Sequence, residues 1–266
     1  MSAAEARGSD GPLWAATVGP TDGPPIALIH GSLDRSAGML KLSRRLDEEF
    51  RVTRYDRRGY GRSVDRSGPY GMSEQVADLL AVLSAASPEP RRWLLVGHSY
   101  GGNVALTLAD RRPDLVAGVV VYESPMSWAS WWPHDTAGAD AVAWRADPEE
   151  AAERFMRRLV GDDRWDRLPP ATRSARRREG PAMVGELLDL RERAPWVPER
   201  IVAPVLAMFG TSGREHHRKA VAELGRTLPD AEVAGVDGAR HFGPNTHPVP
   251  VAAMIRSFVA RRIVVG

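Results

Sequence analysis

A polar serine sits among small residues at Gly97-His98-Ser99-Tyr100-Gly101-Gly102, directly after the apolar stretch Trp93–Val96. Small-x-Ser-x-small between a strand and a helix is a turn so sharp that flanking side chains would collide with the neighbouring backbone, so Gly97 and Gly101 suit it. Such a turn lifts the Ser99 hydroxyl to the carboxyl end of a sheet. It also aims the first free amides of the following helix, the Tyr100 N–H among them, at the same point. A nucleophile beside backbone donors is the equipment of acyl transfer. A serine hydroxyl is too weak an acid to attack unaided and needs a base. The chain offers seven histidines: His30, His98, His134, His216, His217, His241 and His247. There is no cysteine, which removes disulfides, thiolate nucleophiles and thiolate metal ligands. No His-x-x-x-His or comparable spacing points to a metal, and none is expected.

The elements that must position these residues read as an alternation. Strand candidates are Ile26–His30, Arg51–Tyr55, Trp93–Val96, Val116–Tyr122 and Val205–Phe209, with Ala231–Val236 a weaker sixth. Helical patterns cover Ala37–Glu49, Met72–Ala86, Gly101–Asp110, Glu215–Leu228 and Val249–Arg262. Short β-rich runs alternating with helices predict an α/β fold, a mostly parallel central sheet flanked by helices on both faces. The alternation fails from 126 to 198. There the periodicity is helical, and six of the eight tryptophans (Trp128, Trp131, Trp132, Trp144, Trp165 and Trp196) fall in the segment. The organisation expected is a core of 11–125 and 199–266, a helical cap inserted at 126–198, and a disordered tail at 1–10.

Charge narrows the partners. Lys and Arg exceed Asp and Glu by 36 to 34, a formal charge of +2, so nothing points to nucleic acid. The basic run Arg173–Arg178 has few aromatics and reads as a solvated helix face. Neither a signal peptide nor a membrane-length apolar run is visible, so a cytoplasmic protein with a small-molecule substrate and no membrane partner is expected.

Two further stretches join the serine turn. His30-Gly31-Ser32 ends one strand, and Asp56-Arg57-Arg58-Gly59-Tyr60-Gly61-Arg62-Ser63 follows the next. In the order HG, D-x-R-G-x-G-x-S, G-H-S-x-G-G, late histidine, the chain resembles the α/β-hydrolase superfamily, in its cap-bearing esterase and lactonase branch. The resemblance implies Ser99 as nucleophile and the backbone N–H groups of Ser32 and Tyr100 as oxyanion donors. It places the base at His241, in a G-x-x-H-F-type loop within "VDGARHFGPNTHP". It implies no cofactor, and a serine rather than an aspartate nucleophile argues against haloalkane dehalogenase or epoxide hydrolase chemistry. Arg58, Gly59, Gly61, His30 and His98 read as structural. His216 and His217 are expected exposed in the first turn of a helix, and His247 at the start of the last one.

The third member of the set is displaced. The superfamily usually carries an acid in the loop after the penultimate strand, which here reads "GTSGRE", with Ser212 where an aspartate is expected. In some relatives the acid follows the strand after the nucleophile helix, and that strand here ends at Glu123. Glu215 is a second candidate, and a dyad or an inactive protein a third. Asp237 reads as a turn residue. The function expected is cleavage of a small or medium carboxylic ester, thioester or lactone through an acyl-enzyme. The alternatives are a cofactor-free perhydrolase, a C–C bond hydrolase, or a non-catalytic ligand-binding relative.

Overall fold

The structure, a computed structural model of the 266-residue chain, describes residues 5–8, 11–87 and 91–263. Eight strands among them form one sheet: β1 (Glu5–Gly8), β2 (Gly11–Val18), β3 (Pro25–Ile29), β4 (Arg51–Tyr55), β5 (Trp93–His98), β6 (Val116–Tyr122), β7 (Val205–Gly210) and β8 (Ala231–Val236). Their order is β1-β2-β4-β3-β5-β6-β7-β8. From β4 to β8 every neighbour is parallel, while β1 and β2 run antiparallel at one edge.

Alternate side chains of β3 explain the layering. Ala27 and Ile29 face one apolar cluster and Ile26 and Leu28 the other, all fully buried. A strand buried on both faces needs helices above and below. The first face takes α2 (Met72–Ala86), α3 (Tyr100–Arg111) and, later in the chain, the Ala220, Val221 and Leu224 stripe of the helix Glu215–Thr227. The second takes α1 (Leu40–Leu46) and the terminal helix Pro248–Arg262.

After β3 the chain moves outward to β4, then returns past β3 to lay down β5. Strand order therefore reverses between β3 and β5, the place where open α/β sheets leave a ligand crevice at the carboxyl ends. Ser32 follows β3 and Ser99 follows β5, so the reversal brings both loops to that crevice.

Between β6 and β7 the expected helical segment is present as α4 (Ala137–Ala143), α5 (Pro148–Val160), α6 (Asp162–Asp166), α7 (Pro170–Arg178) and α8 (Gly180–Glu192). It has its own apolar cluster, in which Ala141, Phe155, Met183 and Leu187 pack with Leu33 and Tyr60 of the sheet-end loops. Of the basic run, Arg173 and Arg177 pair with acids of α6 and α5, while Arg176 departs from a solvated face by donating to the buried Glu179 and to the Leu33 carbonyl. Beyond β7 follow α9 (Glu215–Thr227), α10 (Gly243–Thr246) and α11 (Pro248–Arg262).

Two expectations change. The tail at 1–10 is partly a strand: Glu5–Gly8 pairs with β2 in register from Glu5↔Trp14 to Gly8↔Gly11, while 1–4, 9 and 10 lie outside the described residues. The strand β2 carries little sequence signal because Gly11-Pro12 opens it, and it joins the sheet by pairing with β1 on one side and β4 on the other. The helix expected at Ala37–Glu49 is shorter, a 3₁₀ turn at Ser36–Met39 running into α1.

Candidate active site

The turn at Ser99 has the geometry its glycines imply. A Cβ on Gly97 would stand 2.4 Å from the Gly101 oxygen, and one on Gly101 would stand 2.3 Å from the Ile29 oxygen. Ser99 itself has φ +53, and Leu33 and Glu123 have φ +49 and +48; they are the non-glycine residues with positive φ among those described. Such conformations cost of order 1–3 kcal/mol each. All three stand just past the carboxyl ends of adjacent strands, β5, β3 and β6, so the strain is concentrated around the crevice.

Glu123 is fully buried, and both carboxylate oxygens are engaged. Oε1 accepts from the Gly210 N–H at 2.9 Å, and Oε2 lies 2.8 Å from Nδ1 of His241. A carboxylate only accepts, so Nδ1 carries the proton and Nε2 of His241 keeps its lone pair. This is the tautomer a general base requires. Room for the carboxylate comes from the loop that lacks its own acid: a Cβ on Gly213 would stand 2.7 Å from Glu123 Oε1. Ser212 is exposed, its N–H donating to the Ala239 oxygen at 3.0 Å. Glu215, the second candidate, is exposed at the start of α9, and Asp237 is an exposed turn residue bonded to Thr211.

The His241 loop is tied to the serine turn. Nε2 of His98 donates to the His241 carbonyl at 2.7 Å, and the Tyr122 hydroxyl donates to the Arg240 carbonyl at 2.8 Å. The Ser99 N–H donates to the Tyr122 carbonyl at 2.8 Å. Residues adjacent to Ser99, Glu123 and His241 are therefore bonded to one another. Burial, and then the nearby His241, push His98 down to about 3, so it remains a neutral donor.

The expectation for His216 and His217 needs correction. Both occupy the first turn of α9, but neither is exposed. His217 stacks on His241, centroids 4.6 Å apart and 19° between planes, with Nε2 4.0 Å from Glu123 Oε2. Burial first, then the charge of a protonated His241, hold His217 well below the ordinary imidazole range. Trp132 closes the outer side, its ring 4.8 Å from His216 and 5.7 Å from His217. The sequence signal was the His-His pair itself; its burial depends on a tryptophan from the insertion. His134 is exposed, and His247 stands at the N-cap position of α11 without a capping side-chain bond.

Among the described residues, Glu123, His217 and His241 are the group whose ligand atoms all lie within 4.8 Å of one another. The near-parallel rings set their nitrogens side by side along one carboxylate, and tetrahedral ligation would require turning them out of that stack. The arrangement instead suits a proton held between His241 and Glu123. No helix among the described residues is long and apolar enough to cross a membrane.

The chain is 27% identical, over 259 residues covering 89% of it and 88% of the relative, to 2-(acetamidomethylene)succinate hydrolase of Mesorhizobium japonicum. It is 26% identical to the pimeloyl-[acyl-carrier protein] methyl ester esterase of Vibrio atlanticus, over 79% of this chain and 84% of that one. The crystal structure of the enol-lactonase from Burkholderia xenovorans LB400 superposes with a TM-score of 0.74 at 23% identity, covering 94% of this chain and 97% of that one. The pattern of the Alpha/beta hydrolase family matches residues 26–254, which runs from within β3 to within α11 and includes Ser99, Glu123 and His241. By that match and by the strand order that carries its serine turn, the chain belongs to the alpha/beta hydrolase family.

Proposed function

We propose that the protein is a serine hydrolase that cleaves a small or medium carboxylic ester, thioester or lactone through an acyl-enzyme on Ser99. The observation that carries this reading is the 2.8 Å contact between His241 Nδ1 and the buried Glu123 carboxylate, at the sheet end that also bears Ser99. Nε2 of His241 takes the Ser99 proton as Oγ attacks the substrate carbonyl, and Glu123 stabilises the imidazolium that forms. The Ser32 and Tyr100 N–H groups hold the oxyanion, each worth about 3 kcal/mol in the transition state. His241 then protonates the leaving alcohol or thiol and activates water to release the acid.

The helical insertion serves as the cap of this site. Leu33, next to Ser32, packs with Ala141, Met183 and Leu187 of the insertion, which seats the insertion over the loop that carries the Ser32 amide. The relative named as a methyl ester esterase supports ester chemistry, and the one named as a hydrolase supports hydrolysis more generally. A panel of chromogenic esters and lactones of increasing acyl length tests the reading. Turnover of at least one class, lost in Ser99→Ala, is expected; equal rates in both proteins, or none in either, would overturn it.

A further inference from the structure

Arg57 and Glu186 are both fully buried, and they face each other across the boundary between sheet and insertion. Arg57 follows β4, and Glu186 lies in the middle of α8. Nη1 donates to Glu186 Oε2 at 2.7 Å and Nη2 to Oε1 at 3.3 Å, a two-point pair. The Tyr60 hydroxyl is a third donor to this carboxylate, 2.7 Å from Oε1. Burying such a pair gains little for stability over an apolar filling, so its use is sought in what else the guanidinium touches.

The rest of the fork grips the loop after β3. Nε donates to the His30 carbonyl at 2.9 Å and Nη2 to the Gly31 carbonyl at 3.1 Å. The Arg57 backbone N–H donates to Nε2 of His30 at 2.9 Å, so that nitrogen is unprotonated and the ring proton sits on Nδ1. Nδ1 in turn donates to the same Gly31 carbonyl at 2.8 Å. Burial and the Arg57 charge keep His30 neutral, which preserves this donor and acceptor pattern.

The Gly31 carbonyl and the Ser32 N–H belong to one planar trans peptide and point in opposite directions. Two donors holding the oxygen therefore fix the direction of the N–H. This peptide lies against the nucleophile, since a Cβ on Gly31 would stand 2.9 Å from Ser99 Cβ. The guanidinium also covers the Tyr100 ring at 4.8 Å, beside the other oxyanion amide.

We propose that Arg57 is a positioning residue: anchored by Glu186, it transmits the seat of the helical insertion to the Ser32 peptide, so the oxyanion site is aligned only with the insertion docked. The inference rests on the hydrolase reading above. Its role is felt in the transition state, where the oxyanion forms, rather than in ground-state binding.

The test compares Arg57→Lys, which keeps the charge but loses the fork, with Glu186→Gln, which keeps the shape but loosens the anchor. For the ester turned over best, Arg57→Lys is expected to lower kcat about 100-fold and Glu186→Gln about tenfold, with KM within about threefold. Affinity for the matching trifluoromethyl ketone, whose hemiketal oxyanion needs the same amides, falls by the same factors. Folded variants, judged by circular dichroism, that keep kcat and inhibitor affinity, or that change KM alone, would overturn the proposal. Should Arg57→Lys fail to fold, Glu186→Gln decides on the same criteria. If the wild-type protein hydrolyses nothing, the hydrolase reading fails by itself. A crystal structure of Glu186→Gln then decides the coupling: a turned 31–32 peptide upholds it, and an unmoved one overturns it.

Discussion

Glu123, one residue past β6, meets Nδ1 of His241 at 2.8 Å, although the loop after β7 is the usual source of that partner. The substitution works because β6 and β7 are adjacent and the carboxylate needs only to lean across. Its Oε1 takes the Gly210 N–H at the end of β7, in the loop where the acid is missing.

Glu123→Gln is expected to lower kcat by roughly 10³- to 10⁴-fold, because an amide N–H facing Nδ1 selects the wrong tautomer. The Gln oxygen can still accept from Gly210, so the thermal midpoint should move little. Glu215→Gln, at an exposed position, should leave kcat within about twofold. Steady-state rates and a melting curve for each variant check this.

Gly213→Ala tests the space that admits the carboxylate. With a Cβ 2.7 Å from Oε1 and 2.9 Å from the Gly210 oxygen, the carboxylate or the loop that holds it must move from its present place beside His241. A loss of at least about tenfold in kcat is expected, with KM nearly unchanged, since a small misplacement of the base acts on the chemical step.

His217 covers one face of His241 by stacking, so Phe should replace it and Ala should not. His217→Phe is expected to retain kcat within about threefold, whereas His217→Ala, which frees the face of His241, should lower it roughly tenfold. Equal losses in both would mean that the His217 nitrogens matter more than its ring.

Acid stability follows from His98. In the unfolded chain it binds a proton near the ordinary imidazole value of 6.5, but in the fold only near 3. The unfolded state therefore holds more protons between these values, and stability falls as pH drops below 6.5. At pH 5 the loss from this group is about 2 kcal/mol. Denaturant titrations at pH 7 and 5 should show that loss reduced in His98→Asn.

The legible parts of the site were local ones. Gly97, Ser99 and Gly101 carry the turn within one short stretch, and steric limits on that turn leave few other residues possible. The parallel strands were legible for the same reason, as apolar runs buried on both faces. In the sequence Glu123 is signalled only by the gap at Ser212, and Glu215 answers the same gap, because nothing local says which strand supplies the acid. His217 read as a surface residue, since its burial comes from Trp132 on another element. The Arg57–Glu186 pair had no sequence signal: its members lie in separate segments that meet only when the insertion folds back over the sheet.

The most direct measurement is intact-protein mass spectrometry after treatment with a fluorophosphonate, followed by peptide mapping. One adduct is expected, on Ser99, forming roughly 10³-fold more slowly in Glu123→Gln and at the wild-type rate in Glu215→Gln. No adduct on the folded wild-type protein, an adduct on another residue, or undiminished labelling of Glu123→Gln would contradict it.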